Sequence, residues 1–209
     1  VRPLILASGS PQRRAILEQL GVRFEVVVSG VDELQTGPPE EVVLENAHRK
    51  AVTVAAGLAE GTLSSSGRQD AQKSTQPPAD EHLVVLGVDT VVALGGAVYG
   101  KPRDEAHAAE TLALLSGRTH RVLSGICVVD RGGERVRTAA AQTSVSFRRL
   151  DEETISWYLA TGEWRERAGG YAIQGRGAAL VAGIDGDYLN VVGLPVPTLL
   201  DLVPDLLQE

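Results

Sequence analysis

Cysteine is almost absent. Cys127 stands alone in 209 residues, so no internal disulfide can form. That fits a reducing compartment. Methionine is missing altogether and aromatics make up only 4% of the chain, so a core must come from Val, Leu, Ala and Ile. Positive charge is in the minority. The net charge of -7 argues against general nucleic-acid binding, although a local basic pocket remains compatible with it. The four histidines are scattered without metal-ligand spacing, which argues against a zinc site. No apolar run is long enough to span a membrane, and the first residues lack a basic-then-apolar signal pattern. The expectation is a soluble cytoplasmic protein with no membrane partner. A Gly-x-Ser-x-Gly elbow, a Walker loop and a dinucleotide fingerprint are also lacking.

What is present centres on Leu83 to Leu94, an apolar run with Asp89 in its middle. The absence of polar alternation predicts a strand covered on both faces. An unpaired buried charge is costly, so Asp89 should face a cation, water or a hydrogen-bond network, or else sit at a bulge. A Gly95-Gly96 turn leads into a second strand, Ala97 to Tyr99.

Upstream, Pro3 to Ala7 reads as a short buried strand, followed by the small turn Ser8-Gly9-Ser10. Ser10 suits an N-cap and Pro11 a first helical position. Arg13 and Arg14 fall in that first turn, where the helix dipole disfavours cations. Either they are solvated surface arginines or an anion docks there, held by free N–H groups and guanidinium groups. Arg23 to Val28 predicts a second strand. Asp32 and Glu33 follow it, as an acidic turn or as metal ligands. A helix is predicted from Pro39 to Leu58, with Lys50 on it as a solvated residue or a functional cation. Residues 60–80 are Ser- and Gln-rich and end in a Pro pair, which predicts a disordered insertion rather than a domain linker.

After Gly100-Lys101-Pro102 a helix starts near Asp104 and ends at Gly117. Lys101 sits at a strand-to-helix junction, as a surface residue or a functional one. Two strands, His120 to Val129 and Val136 to Leu150, are joined at Arg131-Gly132-Gly133. Thr143, Val145 and Phe147 alternate with polar neighbours, so that strand should have one wet face. A helix capped by acids follows Asp151. A short strand is expected among the glycines of residues 168–175. Two more are expected near Ala178–Ile184 and Tyr188–Val192, before a last helix opened by Gly193-Leu194-Pro195. The whole reads as one domain over 1–209. Cys127, in an apolar strand, reads as core. Carboxylates Glu33 and Asp89, cations Arg13, Arg14, Lys50 and Lys101, and Gly-rich turns suit a hard metal plus a polyphosphate.

Seven segments in order then resemble the Maf family of nucleoside triphosphate pyrophosphatases: Leu6 to Arg14, Val31-Asp32-Glu33, Asp89 to Val92, Gly100-Lys101-Pro102, Gly117 to Val122, Tyr171 to Gly175 and Asn190 to Pro195. The resemblance implies a mixed α/β fold with an elongated, curved sheet, flanking helices and two lobes around a cleft, similar to inosine triphosphatase. It implies hydrolysis of a nucleoside triphosphate to the monophosphate and pyrophosphate, with a divalent cation: magnesium, or manganese or cobalt. Asp89 matches the general base and Glu33 a metal-holding acid, with Asp89 touching the metal as well; a hydroxide on the metal is the other candidate nucleophile. Ser8, Ser10, Arg13, Lys50 and Lys101 match phosphate-handling positions, and Arg14 supplies a second arginine. Thr90 and Gln174 match the branch acting on dTTP and UTP, which makes pyrimidine or modified pyrimidine triphosphates the expected substrates. Gln12 stands where that branch has Arg and the 7-methyl-GTP branch has Trp, which leaves a broader range open. A homodimer is the assembly left open. The family is also linked to inhibition of septum formation, so a cell-division inhibitor acting through a binding partner is the alternative.

Overall fold

The computed structural model describes residues 4–63, 83–130 and 135–208. The expected insertion, from residue 64 to 80, and the expected turn at residues 131–133 lie outside the described residues. Among the described residues no helix is long and apolar enough to cross a membrane.

The elements run β1 (Leu4–Leu6), α1 (Pro11–Gln19), β2 (Phe24–Val26), α2 (Pro39–Ala59), β3 (Val84–Leu94), β4 (Ala97–Tyr99), α3 (Glu105–Leu115), β5 (Thr119–Asp130), β6 (Val136–Phe147), α4 (Glu152–Ala160), β7 (Val181–Asp185), α5 (Tyr188–Val192) and α6 (Val196–Leu202). The strands form one seven-stranded mixed sheet in the order β2-β1-β3-β5-β6-β7, with β4 folded back on the end of β3. β1 pairs in parallel with both β2 and β3, whereas β3, β5, β6 and β7 pair antiparallel in succession. This is the mixed, helix-flanked α/β sheet expected.

Helices cover both faces, which explains why β1 and β3 are apolar without alternation. On one face α1 and α6 bring Ile16, Leu17 and Leu199 against Leu6, Leu86 and Ile126. On the other, Ala47, Ala51 and Val54 of α2 pack on Val85, Cys127 and Val129. Cys127 is buried core, as its apolar strand suggested, and burial pushes its thiol up to about 12. Near the far end of the sheet α3 and α4 close over Val122, Val145 and Phe147.

Two glycines set how closely α2 lies. A Cβ at Gly87 would sit 2.2 Å from the carbonyl oxygen of Ala47, and one at Gly125 would sit 2.2 Å from that of Val43. Gly87 and Asp89 share a face of β3, because side chains alternate along a strand, and Asp89 pairs across to Gly125. The sheet is therefore bare backbone beside Asp89, and α2 rests directly on it.

Three expected strands fold otherwise. Tyr188–Val192 is the short helix α5, because Asp187 caps it by accepting the N–H of Leu189 at 2.8 Å. The glycine-rich stretch forms a 3-10 turn over Ala168–Gly170 rather than a strand, with Gly169 and Gly170 at φ of 67° and 71°. The strand expected from Ala178 begins only at Val181, since Arg176–Leu180 is a 3-10 turn. A short apolar run has no period that separates helix from strand.

Candidate active site

Asp89 lies in mid-strand on β3 and is only 6% exposed. Both carboxylate oxygens are taken. Oδ1 accepts from Lys50 Nζ at 2.7 Å and Oδ2 from Asn46 Nδ2 at 3.0 Å. Asn46 and Lys50 are four residues apart, so α2 presents them on one face. Lys50 is also 6% exposed, and its ammonium reaches Glu33 Oε1 at 2.6 Å. One cation thus joins two carboxylates from β3 and from the loop after β2. Asn46 fixes that loop as well: its Oδ1 accepts the N–H of Leu34 at 2.7 Å and its Nδ2 donates to the Leu34 carbonyl at 3.0 Å.

Thr90, one residue on, faces the other way, toward α1 and α5. Arg13 leaves the first turn of α1 and is buried there, only 8% exposed. Its Nε donates to the carbonyl of Gly193 at 2.9 Å, and its two terminal nitrogens donate to Ser8 Oγ at 2.8 Å and Thr90 Oγ1 at 3.1 Å. Burial lowers its pKa, while Asp89 and Glu33 pull the other way. The Thr90 hydroxyl also meets Ser124 Oγ at 2.8 Å. Ser10 caps α1 and donates to the Gln12 amide oxygen at 2.9 Å. The paired arginines part company here, since Arg14 is exposed on α1 and does not line the cavity described next.

One cavity of about 620 Å³ gathers these groups. That volume suits a small-molecule ligand. Ser8, Ser10, Gln12, Arg13, Glu33, Lys50, Asp89, Thr90, Lys101 and Gln174 all line it, so of the expected site residues only Arg14 stays outside. Lys101 is held by Glu166, with Nζ 2.8 Å from Oε2, and both side chains are exposed. Gln174 is exposed at the rim.

Asn46, Glu166 and Arg167 also line the cavity and were not singled out in the sequence. For Asn46 the signal was its helical spacing from Lys50 on an otherwise apolar face. For Glu166 and Arg167 the sequence carries none, because Glu166 takes a φ of 57° that no residue pattern announces. The segment carrying them is tied down where Gly169 donates its N–H to the Gly100 carbonyl at 3.0 Å. Among the described residues no group of three or more His, Cys, Asp or Glu converges as a metal site. Of the cavity's carboxylates, Glu33 and Asp89 meet on Lys50 while Glu166 is engaged with Lys101, and two carboxylates suffice for a magnesium ion that keeps waters and takes further oxygens from phosphates.

Comparison with known proteins places the chain in a family. The chain is 41% identical to a dTTP/UTP pyrophosphatase of Pelotomaculum thermopropionicum, covering 97% of this chain and 96% of that protein. It is 42% identical to one from Deinococcus radiodurans, over 96% and 91% of the two chains. A third, from Moorella thermoacetica, is 45% identical over 96% and 93%. The family model for Maf-like protein matches residues 3–206, and the chain belongs to that family.

Proposed function

We propose that this protein hydrolyses nucleoside triphosphates to the monophosphate and pyrophosphate, favouring dTTP and UTP. The observation that carries the reading is the Lys50–Asp89 pair, buried in the wall of a cavity lined by four cations, Arg13, Lys50, Lys101 and Arg167. The curated relatives, each named dTTP/UTP pyrophosphatase, support the reaction and the base preference. Those names favour the enzyme over a septum inhibitor acting through a partner.

Water attacks the α-phosphorus, and the bond to the oxygen bridging the α- and β-phosphates breaks with its electron pair leaving on pyrophosphate. Asp89 takes the water's proton, its carboxylate oriented by Lys50 and Asn46. The cavity's cations offset charge building on the departing pyrophosphate. Glu33 and Asp89 would hold a divalent metal, which when bound polarises a phosphate oxygen and the attacking water. At the rim, Gln174 offers one amide donor and one acceptor, the complement of a carbonyl and ring N–H in uracil or thymine. Thr90 has its hydroxyl engaged with Arg13 and Ser124, so its effect on base choice passes through the position of Arg13.

Pyrophosphate release with magnesium from dTTP, UTP, CTP, GTP, ATP and 7-methyl-GTP tests this, with Asp89→Asn beside the wild type. The expected result is release strongest from dTTP and UTP, lowered by about 10²–10⁴-fold in Asp89→Asn. Equal turnover by the variant would overturn the role of Asp89. No release from any nucleotide would overturn the reaction.

A further inference from the structure

Of the four cations that line the cavity, three already hold acceptors. Arg13 donates to Gly193, Ser8 and Thr90. Lys50 holds Asp89 and Glu33, and Lys101 holds Glu166. Arg167 is the exception: among the described residues its guanidinium has no hydrogen-bond or ion-pair partner, and its Nε is sealed from solvent without one. Burial lowers its pKa, and Tyr158, Glu163 and Glu166 act on it electrostatically without bonding it. The side chain as a whole is half-buried, but a sealed donor without a partner costs free energy, so the Nε needs an explanation.

The local backbone supplies one. Glu166 adopts a left-handed φ of 57°, where a residue with a side chain is strained. That turn sets Glu166 on Lys101 and Arg167 at the cavity wall. Two residues on, Gly169 lies so close to β3 that a Cβ there would come within 2.6 Å of Val92. Val92 is three residues beyond Asp89, so the Arg167 segment is clamped over the same strand that carries the proposed base.

Resting on the pyrophosphatase reading, we infer that Arg167 binds the phosphate chain of the substrate. A guanidinium left without a carboxylate, beside a lysine whose own carboxylate partner is solvent-exposed, matches a polyanion that engages both cations together. Glu166 fills the place on Lys101 that a phosphate oxygen takes, and Arg167 meets the same chain through its fork of donors.

The test is binding of inorganic tripolyphosphate with magnesium, followed by calorimetry on the full chain, beside kcat/KM for dTTP, UTP and CTP. Arg167→Gln should weaken tripolyphosphate about 10- to 100-fold. It should lower kcat/KM by a similar factor for all three nucleotides and leave their ratios unchanged. Arg167→Lys, which keeps the charge but loses the fork, should fall between the two and decides the matter if Arg167→Gln does not fold. Unchanged tripolyphosphate affinity in a folded Arg167→Gln overturns the inference. So does a changed dTTP-to-CTP ratio at unchanged tripolyphosphate affinity, which would put Arg167 at the base. If the variants lose tripolyphosphate as expected but the wild type releases no pyrophosphate from any nucleotide, the anion site stands and the pyrophosphatase reading fails.

Discussion

Lys50 and Asp89 are dependent on each other unequally. Lys50 has a second carboxylate in Glu33, 2.6 Å away, whereas among the described residues Asp89 has only the amide of Asn46 besides Lys50. Removing the lysine therefore strands a buried negative charge, while removing the aspartate leaves the lysine paired. Lys50→Met should cost about 3–5 kcal/mol of stability in urea titration. Asp89→Asn should cost clearly less. Equal costs would show that the pair's burial energy is shared evenly.

The two bare positions under α2 make a second test. Gly125→Ala puts a Cβ where the carbonyl oxygen of Val43 is 2.2 Å away, a backbone atom that cannot rotate aside. α2 must lift, and it carries Asn46 and Lys50 away from Asp89. Stability should fall by roughly 1–3 kcal/mol or more, with turnover lost out of proportion. Gly183→Ala on exposed β7 meets nothing within 4 Å and should stay within about 0.5 kcal/mol of wild type.

Much of this arrangement was legible from residue pattern. The apolar run around Asp89, the Ser10 cap before Pro11, and the hairpin at Gly95-Gly96 all appear as read. Each is a local signal, set by a few adjacent residues. What stayed hidden depends on contacts far apart in the chain. Pattern leaves Lys50 either solvated or functional, and its burial beside Asp89 depends on Gly87 and Gly125, which admit α2 onto the sheet. Arg13 and Arg14 are neighbours on different faces of α1, and the roughly 100° step between adjacent helix positions buries the first and exposes the second. Tyr188–Val192 is as apolar as a strand, and its cap at Asp187 settles it as helix.

His120 gives the fold a pH dependence. It is fully enclosed, with Nε2 2.8 Å from Tyr171 Oη, Phe147 edge-on to its ring and Nδ1 without a partner. Burial lowers its pKa from 6.5 to about 4, so the folded protein holds it neutral. The unfolded chain binds the proton first as pH falls. The stability it contributes is full above pH 6.5 and is lost progressively toward pH 4, by about 3 kcal/mol in all. Between pH 6.5 and 4 the unfolding free energy of the wild type should fall by about 3 kcal/mol more than that of His120→Gln. Parallel curves would mean that His120 does not titrate between the two states.

Asn46 is the residue whose loss should touch the most of the site at the least change in charge. Its amide donates to both Asp89 Oδ2 and the Leu34 carbonyl, and its oxygen accepts from the Leu34 N–H. It orients the proposed base and pins the loop that carries Glu33. Asn46→Ala deletes all three bonds, and kcat/KM should fall by roughly tenfold or more, each buried bond being worth about 1 kcal/mol. With the loop released, half-maximal activity should also need more magnesium. Asn46→Asp keeps the shape and the bond from the Leu34 N–H, yet faces Asp89 and the Leu34 carbonyl with oxygens. Like charges at that distance repel in a buried site. The aspartate variant should therefore be less active and less stable than the alanine variant, although it is closer in size. The reverse order would mean that Asn46 acts by filling space rather than by donating.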